Sequence, residues 1–226
     1  MKNQFLIAAL AITAIATTAS ADLVAGWSMT TAVPNATTGI AYNYGAADAG
    51  SNAAGSMLSG SHVAAATTWS PSGNGSTYSL SSNNWTIGDF YQVSFNTLGS
   101  TSNSISWDQT RSGTGPSTFN ALMSVDGGAN WTTILAGYAV VQAGLTGSGT
   151  TSWNTVTNQP GFFTQTVALG AGADNQASVL VRFATTVTTA AAGTNRVDNI
   201  NVTNTIPAPG AIALISLAGL VARRRR

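Results

Sequence analysis

The sequence predicts an all-β protein, an antiparallel β-sandwich of jelly-roll-like type. Short runs of alternating apolar and polar residues recur along the chain, and turns rich in Gly, Asn and Ser separate them. This is the pattern of strands with one buried face. The chain also contains no Glu, and Lys2 is its only lysine, so helix propensity is low throughout the body. We expect an N-terminal signal helix before the sandwich and a single hydrophobic helix after it.

The individual strands follow from the alternation in chain order. A first strand is predicted over residues 23–29, and irregular loops over residues 35–62, which are rich in Ala, Gly, Ser and Asn and weakly patterned. No helical stripe of comparable strength occurs in the body, which excludes a parallel βαβ architecture. The residues predicted to share one face of each later strand are Tyr91, Val93 and Phe95; Ile105 and Trp107; Phe119, Ala121, Met123 and Val125; Val179, Val181 and Phe183; and Asp198, Ile200 and Val202.

The N-terminal residues 1–21 have the features of a secretory signal. Lys2 supplies a positive start, residues 5–16 are apolar, and the small residues Ala-Ser-Ala at 19–21 precede the expected cleavage before Asp22. The domain organisation predicted from the sequence is therefore a signal peptide over 1–21, a sandwich domain over 22–203 and a C-terminal segment over 204–226.

The C-terminal segment has three parts. Pro207, Ala208 and Pro209 form a proline break, residues 210–222 are an apolar stretch of 13 residues, and four arginines end the chain. As a helix the apolar stretch would be roughly 20 Å long, which is shorter than the roughly 30 Å hydrocarbon core of a bilayer. The arginines would stay on the cytoplasmic side and stop the helix there. These arginines are Arg223, Arg224, Arg225 and Arg226.

This tripartite tail resembles the PEP-CTERM sorting signal of exported bacterial proteins. The resemblance rests on Pro207, Pro209 and the terminal arginines, and Ala208 stands where the family has Glu. It implies recognition by an exosortase-like sorting enzyme, transient anchoring in the inner membrane through the C-terminal helix, and then release to the cell surface or extracellular matrix. A plain membrane anchor without processing is the alternative.

One local motif lies between two of the predicted strands. Ser124, Asp126, Gly128 and Trp131 have the spacing Ser-x-Asp-x-Gly-x-x-Trp, which resembles an Asp box. The resemblance implies a structural β-hairpin in which Asp126 binds turn amides, glycines take positive φ and the tryptophan caps the turn. A single copy does not indicate a propeller, which needs a repeat.

The body as a whole is similar to the jelly-roll domains of proteins with such tails, which are related in shape to carbohydrate-binding modules. The similarity rests on residues 107–112, on the hairpin motif and on residues 196–202. It implies a structural Ca²⁺ at Asp198 among oxygen ligands. The alternative is that Asp198 pairs with an arginine or bonds a neighbouring loop. The arginines available for that pair are Arg111, Arg182 and Arg196.

Tryptophans could provide a platform for sugars, whose apolar CH faces pack on aromatic rings. The candidates are Trp85, Trp107, Trp131 and Trp153, and core packing is the alternative for each of them.

The composition limits the chemistry of the body. There is no cysteine, which excludes disulfides, thiolate metal sites and a cysteine nucleophile. His62 is the only histidine, and since no serine lies in a nucleophile elbow we expect a surface or turn histidine and no enzyme. Residues 22–205 hold seven aspartates against three arginines, a net charge of −4, so nucleic acid is excluded as a partner.

The sequence therefore favours an exported structural or adhesive protein of the cell surface or extracellular matrix, with extracellular polysaccharide as a possible partner and no cofactor. The alternative is a glycan-binding module with structural calcium, and a hydrolase is more remote.

Overall fold

A computed structural model describes residues 20–32, 37–144 and 152–206, which are almost entirely strands and turns. These residues form eleven strands and one short α-helix within the unit Ala21–Thr205. The elements are β1 (Ser20–Trp27), β2 (Thr37–Ala46), β3 (Met57–Trp69), β4 (Leu80–Ser82), β5 (Phe90–Phe95), β6 (Ser104–Arg111), β7 (Thr118–Ser124), β8 (Thr132–Ala139), α1 (Pro160–Phe163), β9 (Thr164–Ala168), β10 (Val179–Thr185) and β11 (Asn195–Ile206).

The strands pair antiparallel in the order β8-β7-β10-β5-β3-β4-β11-β6-β9, with β1 added on β11 and β2 added on β3. The long strand β3 joins two halves of this sheet. Its first residues pair with β5 and its last residues pair with β4. The prediction of an all-β antiparallel fold is thereby confirmed.

The inner faces of the two halves meet in one aromatic core. Trp107 of β6 stacks on Phe183 of β10 with ring centroids 4.2 Å apart, and its edge meets Tyr138 of β8 at 5.4 Å. Aromatic pairs in such geometry add to the free energy gained by burying their area. The buried apolar members of β5, β6 and β10 are those that the alternation predicts: Tyr91, Val93, Phe95, Ile105, Trp107, Val179, Val181 and Phe183. After Trp107 the alternation of β6 breaks down, because Asp108, Gln109 and Thr110 are buried as well.

The prediction of loops over residues 35–62 is wrong for 37–46 and 57–62, whereas residues 47–56 between them form turns. Within that range the chain forms β2 and the first half of β3, which pair as a hairpin. Small residues make the pairing tight, because a Cβ at Gly60 would lie 2.1 Å from the hydroxyl oxygen of Tyr42 on the neighbouring strand. The residues of β2 and of the first half of β3 include few large apolar side chains, so the alternation of these strands does not show in the hydropathy pattern.

Two details of the predicted alternation also differ. Val125 does not share the buried face of Phe119, because β7 ends at Ser124 and Val125 is 41% exposed. In β11 the register shifts between Asp198 and Asn201 where Asn199 has a φ of 46°, so the strict alternation is broken there. A bulge of this kind lets Val197 and the neighbouring Asp198 both be buried.

The targeting segments lie largely outside the described residues. Of the predicted signal peptide over 1–21, only the last two residues are described. The predicted sorting motif and the terminal arginines lie within 207–226, outside the described residues. In the part of the chain that the structure describes, no helix has the length and hydropathy needed to cross a bilayer.

Candidate functional site

The turn between β7 and β8 contains the four motif residues. Asp126 Oδ1 accepts hydrogen bonds from Ser124 Oγ at 2.7 Å and from the backbone N–H of Asn130 at 2.9 Å. The amide of Gly128 donates to Ser124 Oγ at 2.9 Å, and Trp131 Nε1 donates to the Gly128 carbonyl at 2.9 Å. The Asn130 amide, followed by Ser124 Oγ and the Asn130 side chain, donates to the Asp126 carboxylate, and these bonds hold the pKa of Asp126 well below its usual range.

The hairpin places Trp131 on the outer face of the sheet. The inner face of β10 carries Val181 and Phe183, so Arg182 between them points outward. The Arg182 guanidinium carbon lies 4.1 Å from the ring centroid of Trp131 and 3.9 Å from that of Phe90, which puts the cation between two aromatic rings. Each such contact is favourable through the ring quadrupole.

Gln92 fixes the orientation of this cation. It lies directly opposite Arg182 in the β5–β10 register, and its Oε1 accepts a hydrogen bond from Arg182 Nε at 2.7 Å. We refer to Phe90, Gln92, Trp131 and Arg182 together as the Arg182 face. All four side chains are half-buried, so part of each remains in contact with solvent.

The guanidinium of Arg182 keeps unused donors. Over the described residues, its Nη atoms make no hydrogen bond and no carboxylate lies within salt-bridge distance of it. Partial burial lowers the pKa of Arg182, but arginine remains charged at neutral pH. By contrast, Arg111 donates to the carbonyl groups of Val140, Ser112 and Gly113 and is occupied. The Arg182 face is therefore a cationic site with an open hydrogen-bonding edge.

The other tryptophan candidates lie elsewhere. Trp85 and Trp107 are fully buried, and Trp153 is only 8% exposed with its ring edge on Phe163 and its Nε1 bound to the Ser72 carbonyl. The core-packing alternative therefore applies to these three, and only Trp131 of the four candidates is presented on an outer face.

Asp198, the candidate calcium ligand, is fully buried and hydrogen-bonded by neutral groups. Its Oδ2 accepts from the amide of Asn74 and from Ser76 Oγ, both at 2.6 Å, and its Oδ1 accepts from the amide of Asn199 at 2.8 Å. No ion pair with an arginine is present in the described part of the chain, so the pairing of Asp198 with Arg111, Arg182 or Arg196 is wrong. The other alternative, bonding to a neighbouring loop, is confirmed, because Asn74 and Ser76 lie in the loop between β3 and β4. Burial, with a smaller contribution from the charge of Asp108, raises the pKa of Asp198 to about 7.

Asp108 lies opposite Asp198 in the β6–β11 register and shares its surroundings. Its Oδ2 accepts from the side-chain amides of Asn74 at 3.0 Å and Asn199 at 2.8 Å, and Thr164 Oγ1 donates to its Oδ1. Amide and hydroxyl donors thus occupy positions that a cation would need. No group of three or more His, Cys, Asp or Glu side chains suited to a metal occurs within the described ranges.

His62 is not a surface or turn residue, so that prediction is wrong. It lies in β3, is 4% exposed, and packs against Trp85 with ring centroids 4.5 Å apart. Its Nδ1 is 2.9 Å from Asp89 Oδ2, and its Nε2 is 2.8 Å from Ser82 Oγ. This is the Ser-His-Asp order of a catalytic triad, built on a fully buried serine within a strand.

Neither the complete Arg182 face nor the Ser82–His62–Asp89 chain could be found from local sequence signals. Phe90 and Arg182 are 92 positions apart in the sequence and meet only because β5 and β10 are neighbours. Ser82, His62 and Asp89 come from two strands and a loop, and no motif marks them. The sequence does contain two signals for the Arg182 face: the alternation of β10 marks Arg182 as outward-facing, and the hairpin motif marks Trp131.

No family model matches the chain, and no curated protein matches it. Among solved structures, a cleaved adhesin domain of Lys-gingipain from Porphyromonas gingivalis aligns with a TM-score of 0.42 and 12% identity, over 78% of this chain and 95% of that one. A second cleaved adhesin domain of Lys-gingipain gives 0.40 and 14%, over 62% and 83%. The N-terminal cellulose-binding domain of β-1,4-glucanase C from Cellulomonas fimi gives 0.30 and 16%, over 63% and 80%. Likenesses at this level support no transfer of function.

Proposed function

We propose that the protein is an exported, adhesive component of the cell surface or extracellular matrix that binds acidic polysaccharide through the Arg182 face. The observation that carries this proposal is a guanidinium held between Trp131 and Phe90 without a carboxylate partner among the described residues. A carboxylate or sulfate on a sugar can accept two parallel hydrogen bonds from such an edge. The rings offer apolar surface to the CH groups of the same sugar.

The positive charge of Arg182 favours an acidic ligand over a neutral one. An arginine buried partly between rings has already lost some of its hydration, so a ligand anion that replaces the missing water gains more than it would at an open lysine. Gln92 holds Nε in place, which leaves the Nη edge preorganised for a planar anion. The body has a net charge of −4, so this contact must come from a local site and not from a general positive surface.

The addressing part of the proposal rests on the two ends of the sequence. The signal would be removed before Asp22, and the tail over 204–226 would be sorted by an exosortase-like enzyme after transient anchoring in the inner membrane. The brevity of the apolar stretch relative to a bilayer supports sorting over permanent anchoring. We further propose that the sandwich is jelly-roll-like in its topology.

We do not propose an enzyme acting on external substrates. Ser82, the one serine bonded to His62, is completely buried in the middle of the β3–β4–β11 pairing. An external acyl or glycosyl substrate would need access to that hydroxyl. The two paired carboxylates, Asp108 and Asp198, are likewise buried and saturated by hydrogen-bond donors.

Binding by the full-length protein in mild detergent tests the proposal. We expect retention on polyuronate or sulfated polysaccharide and little on neutral glucan, and we expect Arg182→Gln to lower the affinity for the acidic polymer by about tenfold or more, as loss of a charge-assisted pair does. Thr133→Ala is the matched control, because Thr133 is an exposed residue of β8 and is not part of the Arg182 face. Equal affinity of wild type and Arg182→Gln for the acidic polymer would rule the site out.

A further inference from the structure

The buried Ser82–His62–Asp89 chain has a neighbour that the proposed function does not use. Asn195 of β11 lies directly opposite Ser82 in the antiparallel β4–β11 register. Residues paired in this way have side chains on the same face, with Cβ atoms roughly 4.5–5.5 Å apart. The Ser82 hydroxyl and the Asn195 carboxamide are therefore adjacent on the inner face of the sheet.

The Asn195 side chain is bonded at one end only. Its Oδ1 accepts a hydrogen bond from Gln109 Nε2 at 2.9 Å, whereas its Nδ2 is buried and has no hydrogen-bond partner among the residues that the structure describes. The residue is fully buried. An unsatisfied buried donor of this kind is uncommon, because it loses its bonds to water without replacement.

The groups around these two side chains have the roles that an acyl-transfer reaction requires. His62 Nε2 is positioned to accept the Ser82 Oγ proton, and Asp89 holds the other ring nitrogen. Asp89 is itself fixed by the amides of Val63 and Thr86, both at 2.7 Å. Gln109 Nε2 donates to the carbonyl oxygen of the amide that would be attacked, as an oxyanion donor does.

We propose that Ser82 and Asn195 form an intramolecular ester, with His62 as the base. Ser82 Oγ adds to Asn195 Cγ while its proton passes to His62 Nε2, and Gln109 stabilises the negative charge on Oδ1. The Cγ–Nδ2 bond then breaks, and His62 returns the proton to the leaving nitrogen, which departs as ammonia. No oxidant, metal or cofactor enters the balance, and the reaction removes the unsatisfied Nδ2 donor.

The surroundings suit this step. Burial lowers the pKa of His62, so the imidazole is neutral at neutral pH and can act as a base. Ser82, Asn195 and Gln109 are all at most 2% exposed. The absence of bulk water around them favours attack by the serine over attack by water and protects the ester from hydrolysis.

The inference goes beyond the proposed function and does not depend on ligand binding. The chain contains no cysteine, so a disulfide cannot stabilise it outside the cell. The ester would join β4 covalently to β11, the last strand of the fold. Closing a long loop in this way restricts the unfolded chain, as a disulfide does. It would also resist pulling on the C-terminal end.

Mass spectrometry of the folded, full-length protein tests the inference. We expect an intact mass below the sequence mass by one ammonia. Trypsin cleaves after Arg111, Arg182 and Arg196, so we expect the fragment ending at Arg111 to remain joined to the fragment ending at Arg196. Hydroxylamine should separate the two fragments. An intact mass equal to the sequence mass, or conversion of Asn195 to Asp without a cross-link, overturns the proposal.

Variants separate the chemistry from a structural role. Ser82→Ala and His62→Gln should each restore the full mass. Ser81→Ala is the matched control, because Ser81 is equally buried and its Oγ bonds to the Asn195 backbone carbonyl but not to His62. This variant should remain cross-linked. The wild-type mass decides the matter even if one of the first two variants fails to fold.

Discussion

In the binding site that we propose, Arg182 determines which ligand charge the outer face can accept. Its guanidinium uses both planar faces on Phe90 and Trp131 and uses Nε on Gln92, so the Nη edge alone is left for a ligand. A lysine has neither a planar face nor a fork of donors and cannot replace it. The outward direction of Arg182 follows from the alternation of β10. Its place between two rings does not, because those rings come from residues far away in the sequence.

Asp198 makes stability depend on pH near neutrality. Its folded pKa is about 7 and its ordinary value is 3.8, so the folded protein holds a proton that the unfolded chain releases. This contribution to the free energy of unfolding is fully present below about pH 4 and is lost as the pH rises through about 7. Replacing the carboxyl by an amide that cannot ionise should remove the dependence.

We therefore expect the stability difference between wild type and Asp198→Asn to change between pH 5 and pH 8 by on the order of 2 kcal/mol, with wild type losing more as the pH rises. Urea unfolding of both proteins at each pH measures it. The pKa of His62 is lowered from 6.5, so its contribution is lost as the pH falls, but it is common to both proteins and cancels. A constant difference between pH 5 and pH 8 would mean that Asp198 is ionised throughout.

The β2–β3 hairpin is the element that the sequence did not predict. Alternation predicted β5, β6 and β10 because Val, Ile, Phe, Tyr and Trp mark their buried faces. The buried face of β3 carries Leu58, Gly60 and His62, of which only the first is strongly apolar. Tertiary packing against Tyr42 and Trp85 decides the conformation there, and a single sequence does not show which residues will meet.

The same observation gives a prediction for the hairpin. Gly60→Ala would bring a Cβ to 2.1 Å from the Tyr42 hydroxyl oxygen and 2.8 Å from the Phe90 carbonyl oxygen. We expect a loss of about 1–3 kcal/mol in the free energy of unfolding, as for other overpacked sites. Gly39→Ala in β2 is the control, since its Cβ would meet its nearest atom at 3.6 Å. Equal stability of the two variants would show that Tyr42 moves away freely.

The described residues form an all-β antiparallel fold, and the two ends of the sequence contain the segments that we propose to direct export and sorting. The fold class could be predicted because it depends on composition and periodicity summed over many residues. The buried polar clusters could not, because each gathers side chains from strands such as β4, β6 and β11 that are distant in sequence. The sequence left a calcium site or a protein partner open at Asp198, and only the structure shows that neutral donors from Asn74, Ser76 and Asn199 surround it.

Export and sorting predict a definite mature product. In the native host, we expect intact mass and fractionation to give a chain that begins at Asp22, lacks Arg226 and is found at the cell surface or in the matrix. Accumulation of a product that retains Arg226 in the membrane fraction would instead identify a plain anchor.

An experimental structure of the protein with an oligouronate bound tests the proposed binding site. We expect a ligand carboxylate to lie against the Nη atoms of Arg182, with the sugar over the ring of Trp131 or Phe90. A ligand seated on any other surface, with the Arg182 face empty, would contradict the proposal.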